Sequence, residues 1–376
     1  SEHLFLNSTK KLKNKNEVYR FIEGNGLFFN AYTDKDATFF YTVQEPNKID
    51  KAFGILIDGV ESFSCLSHNR IIDQEKQIII NEIERLFINP RNYVLTLADE
   101  SLWPMTSFGL SGLGSKTSIE KITGKDLKYY SKHLFQTTAV NFIALSAKKP
   151  SPRILNRTII LETEEKSTNY IIKPRASLKH IQAKFLKGTM VHIVFTILLK
   201  EKPINYEEKT ALELLKNYLV SGWSSRLIER LRTERNFTYW VNGSLKLYRQ
   251  VSYLRIVYTT SIDYLTDSIL LVKEELNHVL NTAIDEKILK HHKNATKSHF
   301  IKNFIEPENQ LIWYGRNLFI NNEHRTPKDW ENTLQNITPQ FLLKTAQKYI
   351  DLTNLFIVFL GPLSKDSLIQ QSIQVE

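Results

Sequence analysis

At 376 residues the chain is longer than one hydrophobic core usually serves, so two domains or two halves are expected. Apolar residues make up 42% and charged residues 24%, a balance that suits a soluble globular protein. No apolar run is long enough to cross a bilayer, which excludes a helical membrane span.

The net charge of +10 comes from lysines scattered along the whole chain. No zinc-finger, RRM or basic-zipper pattern accompanies them, so nucleic acid is not an expected partner; attraction for acidic peptides is compatible with the charge. Cys65 is the lone cysteine, which rules out an internal disulfide and any cysteine-based metal site. It favours a reducing compartment, and a bacterial cytoplasm is the expected location. The chain does not open on Met and shows no signal peptide, so a processed or partial form is one reading of its start.

Along the chain, residues 17–23 read as the end of a helix, and Gly24, Asn25 and Gly26 as a turn. Residues 27–33 and 38–43, rich in aromatic and β-branched side chains, predict a hairpin joined through Asp34, Lys35 and Asp36. Amphipathic helices are predicted over 49–63, 67–87 and 125–134, and a closing strand over 139–146. A first half over 1–150 and a connector over 151–169 lead to a second half over 170–376.

The second half repeats the grammar. It has strands at 183–186 and 191–199, helices at 206–221 and 224–233, and a hairpin over 239–248 and 253–260. Helices at 265–280, 285–301 and 310–319 follow, then a strand at 356–360. The expected class is α+β, each half a largely antiparallel sheet covered by helices on one face.

The predicted helix over 67–87 carries the first chemical signal. Ile72, Glu75, Ile79, Glu82 and Leu86 are spaced 3, 4, 3 and 4 apart and share one stripe. A buried carboxylate is normally paired or bound to metal; at the margin of the stripe, both glutamates would reach solvent or pair with Arg or Lys. Glu2 and His3 at the start of the chain have residue types that suit zinc chemistry, since zinc takes histidine nitrogen and carboxylate oxygen.

Five segments in order carry a family resemblance. Glu2-His3-Leu4-Phe5-Leu6-Asn7 looks like the end of an inverted His-x-x-Glu-His zinc motif. Gly26-Leu27-Phe28-Phe29-Asn30-Ala31-Tyr32-Thr33 is similar to an edge-strand signature, Gly-x-x-x-Asn-Ala-x-Thr. Glu75 and Glu82 match a distal acidic pair, and residues 113–123 a Gly-x-x-x-Ser-Ile-x-x-Ile-Thr segment. Arg232 and Tyr239, seven apart, match an Arg…Tyr element. Together they resemble the pitrilysin, insulinase and mitochondrial-processing-peptidase family of metallopeptidases over essentially the whole chain.

That resemblance implies two homologous halves forming one side of a clamshell, and a zinc-dependent endopeptidase that cleaves peptides or unfolded segments inside a closed chamber. It implies His3 and Glu82 as zinc ligands, with a further His two places before Ser1, outside this sequence. Glu2 would be general base, Glu75 would support the ligands, and Arg232 and Tyr239 would bind a substrate carbonyl. Phe29, Asn30 and Ala31 would bind peptide by strand addition. A homodimer, or a heterodimer with another family member, is the implied assembly; the alternative is a non-catalytic subunit of such a heterodimer.

Two further motifs are set aside. Residues 109–117 look like a phosphate loop, but Lys116 does not follow the last Gly directly as Walker A requires. His291, His292 and His299 lie on a lysine-rich helix, where a solvated face is the simpler reading.

Overall fold

A computed structural model describes residues 2–7, 9, 11–62, 69–137, 140–159, 181–203 and 205–363. Their packing divides into two compact units. The first takes the described residues of 1–85, 112–169 and 303–324, the second those of 86–111, 170–302 and 325–376. No described helix is long and apolar enough to cross a membrane.

In chain order, a 3₁₀ turn at Glu2–Leu4 precedes α1, Lys15–Gly24, which Asn14 caps by accepting from the Glu17 amide. Gly26, at φ +61°, makes the turn into the hairpin of β1, Phe28–Thr33, and β2, Thr38–Val43. Helices α2, Ile49–Ser62, and α3, Asn69–Ile88, follow, each apolar along one stripe. Asn89 then caps α4, Pro90–Leu102. Helices α5 at Lys116–Lys121, α6 at Gly124–Thr137 and α7 at Pro152–Ile159 complete the first part of the chain.

The first unit is built on α2. Leu4, Phe5 and Leu6 are buried against Val18 and Ile22 of α1 and Ala52 and Ile55 of α2. Gly59 makes this docking possible, because a Cβ there would meet the Phe5 ring at 2.7 Å. The Phe5 ring stacks on Phe40 of β2, centroids 3.7 Å apart. Among the described residues the sheet of this unit is the β1–β2 hairpin alone.

The expected closing strand over 139–146 does not appear. Residue 139 lies outside the described residues, and 140–146 carry no strand. A strand exists only through ladder pairing, and no described strand pairs with this segment. It instead helps line an apolar cavity of about 310 Å³, together with β2 and the Ile49, Phe53 and Leu56 face of α2.

The second unit is a five-stranded sheet in the order β3-β7-β4-β6-β5, formed by Ile181–Phe185, Ile350–Gly361, Met190–Leu199, Ser252–Ser261 and Val241–Leu247. Among the described residues only the β3–β7 pair is parallel. Helices lie on both faces, not on one as expected. Tyr93, Val94 and Ala98 of α4 pack on Val194, Val257 and Val358. Phe195 and Tyr258 line the opposite face, where the Tyr258 hydroxyl bonds Ser268. Double burial explains why β6 is buried from Ser252 to Thr260 without alternation.

Helices α8, Tyr206–Val220, and α9, Arg226–Ile228, lead into a π-helical turn at Glu229–Glu234. Then come α10, Leu265–Asn281, and α11, Glu286–Phe304. Next is α12, Pro307–Gly315, which packs in the first unit. Last are α13, Pro327–Asn336, and α14, Pro339–Tyr349.

Candidate active site

In the first unit, the buried Leu4-Phe5-Leu6 anchor fixes the turn that carries His3, and the Asn7 side-chain amide donates to the His3 carbonyl at 3.1 Å. His3 faces α3. Its Nδ1 lies 3.4 Å from Glu75 Oε2 and its Nε2 lies 3.5 Å from Glu82 Oε2. The two glutamates sit seven residues, or two helical turns, apart, so both carboxylates point to the same side of α3. Burial separates them: Glu75 is buried, while the Glu82 side chain is 38% exposed.

Glu75 also meets Lys15 at the start of α1, whose Nζ donates to Oε1 at 2.6 Å. Burial works against the Lys15 charge, but the hydrogen bond and charge of Glu75 outweigh it and raise the lysine pKa. The stripe on α3 therefore realises both readings of its acids at once: Glu75 pairs with a lysine and also faces the imidazole. The Lys15 partnership spans sixty residues of sequence, and no local pattern marks it.

Two ligands of one tetrahedral zinc, each about 2.0–2.1 Å from the ion, stand about 3.4 Å apart. The 3.5 Å between His3 Nε2 and Glu82 Oε2 matches that separation. The other ring nitrogen faces Glu75, the outer-shell arrangement that fixes a ligating imidazole. The donor set thus fits zinc at two positions. Among the described residues, no group of three or more His, Cys, Asp or Glu side chains forms a complete metal cage. The side chain of Glu2 lies outside what is described.

Phe29, Asn30 and Ala31 lie on β1, paired with Thr42, Tyr41 and Phe40. Asn30 is exposed, and among the described residues the other edge of β1 is unpaired. That edge offers backbone groups to an added strand.

In the second unit, Arg232 sits in the π-helical turn and Tyr239 just beyond it, 87% exposed. The chain between them reverses through Asn236, at φ +56°, a left-handed conformation that Asn tolerates better than most residues. The Arg232 guanidinium lies over the Trp223 ring, 4.7 Å from its centroid. Trp223 carries no motif in the sequence, and its place against Arg232 emerges only in the fold.

His291 accepts or donates one hydrogen bond with Ser224 at 2.8 Å. His292 is buried edge-on against Tyr218. Only part of that helix face is solvated.

Residues 1–115 match the insulinase description of peptidase family M16, and residues 147–296 match its inactive-domain description. An uncharacterized zinc protease of Rickettsia felis is 24% identical over 92% of this chain and 83% of its own. The human mitochondrial-processing peptidase subunit beta is 28% identical over 34% of this chain and 26% of its own. The solved M16 inactive-domain structure from Pseudomonas fluorescens superposes with a TM-score of 0.78 at 15% identity, over 96% of this chain and 87% of that one. At that identity the likeness speaks for the fold alone.

Proposed function

The chain belongs to peptidase family M16, and from that premise we propose that it is a zinc-dependent endopeptidase acting on peptides or unfolded segments within a chamber. The observation that supports this most is the His3 imidazole held between Glu75 and Glu82 at 3.4 and 3.5 Å. His3 and Glu82 hold the ion in this reading. Zinc, when bound, polarises the scissile carbonyl and lowers the pKa of water near neutrality.

The rest is done by this chain's own groups. Glu2 takes the proton of the attacking water and returns it to the leaving amine. Glu75 Oε2 faces His3 Nδ1 and would fix which ring nitrogen is free to ligate, while Glu75 Oε1 is held by the Lys15 ammonium. Arg232 and Tyr239 donate to a substrate carbonyl as charge develops on it. Phe29, Asn30 and Ala31 bind the peptide as an added strand, so backbone pairing supplies affinity and side-chain pockets supply selectivity. A dimer with itself or with a sister chain, in the cytoplasm, completes the proposal.

The test is the Glu2→Gln variant of the full-length protein. Peptidase activity falls about 10²–10⁴-fold with zinc content and fold unchanged; activity that survives removes Glu2 from the mechanism. The inactive-domain match over residues 147–296, with the likeness to a protein named as a subunit, supports a second reading, a non-catalytic member of a heterodimer. The gene upstream separates the two: His two places before Ser1 supports the enzyme, and another residue supports the partner.

A further inference from the structure

We propose that Trp223 is a positioning residue that holds the Arg232 guanidinium ready for a substrate backbone carbonyl. The inference rests on the carbonyl-binding reading of Arg232 given above.

Trp223 is 78% exposed, although an indole of this size is usually largely buried. Its loop is nevertheless firmly held. Gly222 turns the chain at φ +87°, a conformation costly for other residues. The fully buried Ser225 closes the turn, its Oγ donating to the Gly222 carbonyl at 2.9 Å. Ser224 Oγ pairs with His291 Nε2 at 2.8 Å. The indole therefore projects from a fixed turn.

Arg232 lies 4.7 Å from the centre of that ring. Two neighbouring arginines contrast with it. Arg226 and Arg230 both bind the buried Glu275, with bonds between 2.9 and 3.0 Å. Among the described residues no carboxylate pairs with Arg232. An aromatic face attracts a guanidinium without consuming its N–H donors, which lie in the guanidinium plane. The ring contact thus restricts the side chain without a carboxylate to occupy its donors. The π-helical turn at Glu229–Glu234 that presents Arg232 is of a kind that recurs at functional sites.

The experiment combines kinetics with a direct view of the ring. In the full-length enzyme, Trp223→Ala lowers kcat about two- to fivefold with KM nearly unchanged, the size of an exposed cation–π contact. Trp223→Phe restores most of the loss, and Trp223→Ala adds no further loss in an Arg232→Ala background. Protein labelled with 5-fluorotryptophan, carrying Glu2→Gln so that peptide is not turned over, gives a fluorine resonance for Trp223, identified by its loss in Trp223→Phe. Arg232→Ala shifts that resonance, and peptide moves it only when Arg232 is present. A Trp223→Ala variant with wild-type kcat, or one whose loss is undiminished in the Arg232→Ala background, overturns the brace while the carbonyl-binding reading stands. Full activity in Arg232→Ala overturns that reading first and the brace with it.

Discussion

The buried acids of the two units are satisfied to different degrees. In the second unit, Glu275 is 2% exposed and both its oxygens are taken by Arg226 and Arg230. Arg255, buried on β6, is likewise closed, bonding Asp99 of α4 at 2.8 Å and Thr196 at 3.1 Å. In the first unit, Glu75 is about as buried, yet one oxygen bonds Lys15 and the other has no hydrogen bond and faces His3. Native interiors rarely leave a buried carboxylate oxygen unmatched. A fully matched acid holds helices together, while an incompletely matched one beside an imidazole is poised to steer it.

The contrast is broken first by removing the matched acid. Glu275→Ala takes the shared carboxylate from Arg226 and Arg230, leaves Arg230 only its exposed partners Glu234 and Glu274, and destabilises the second unit by about 3 kcal/mol. Denaturant unfolding measures it, and a loss under 1 kcal/mol would mean that the cluster is a solvated decoration. Next in size is a pH effect in the same unit. Burial, aided by His291 beside it, pushes the His292 pKa from 6.5 down to about 4. The unfolded chain binds this proton more readily. The contribution of His292 is therefore intact above about pH 6.5 and is lost as pH falls toward 4, by at most about 3 kcal/mol. His292→Phe keeps a ring against Tyr218 and flattens that part of the Tm–pH curve; an unchanged slope would assign the acid sensitivity to other groups.

Glu75→Gln gives the smallest stability change and sharpens the comparison most. Lys15 keeps access to water, so the fold loses about 1 kcal/mol. Zinc affinity falls about 10–100-fold, as when other outer-shell carboxylates are lost. Equal losses in both measurements would make Glu75 a structural acid like Glu275.

The parts of the fold that were legible in the sequence are those fixed by short-range rules. The 3-4-3-4 spacing on α3 aligned Glu75 with Glu82, and Gly26 announced the hairpin turn. Helices α13 and α14 were overlooked although each opens with a Thr N-cap and a Pro, at Thr326-Pro327 and Thr338-Pro339. Asn89-Pro90 gave α4 the same kind of start. The segment over 139–146 has a strand's composition but, among the described residues, no strand paired with it, and pairing rather than propensity decides. For the site, His3 came to the acidic pair only through a family resemblance, since about seventy residues separate them. Lys15 was invisible because its role is set by where α1 packs, and Trp223 because its meaning depends on Arg232 lying across it.

The most direct test is zinc affinity of the full-length protein, measured by chelator competition, in wild type, His3→Ala and Glu82→Gln. One zinc per chain, with affinity lost to a similar extent in both variants, is the predicted result. Binding unchanged by either substitution would contradict a shared ion between the imidazole and α3.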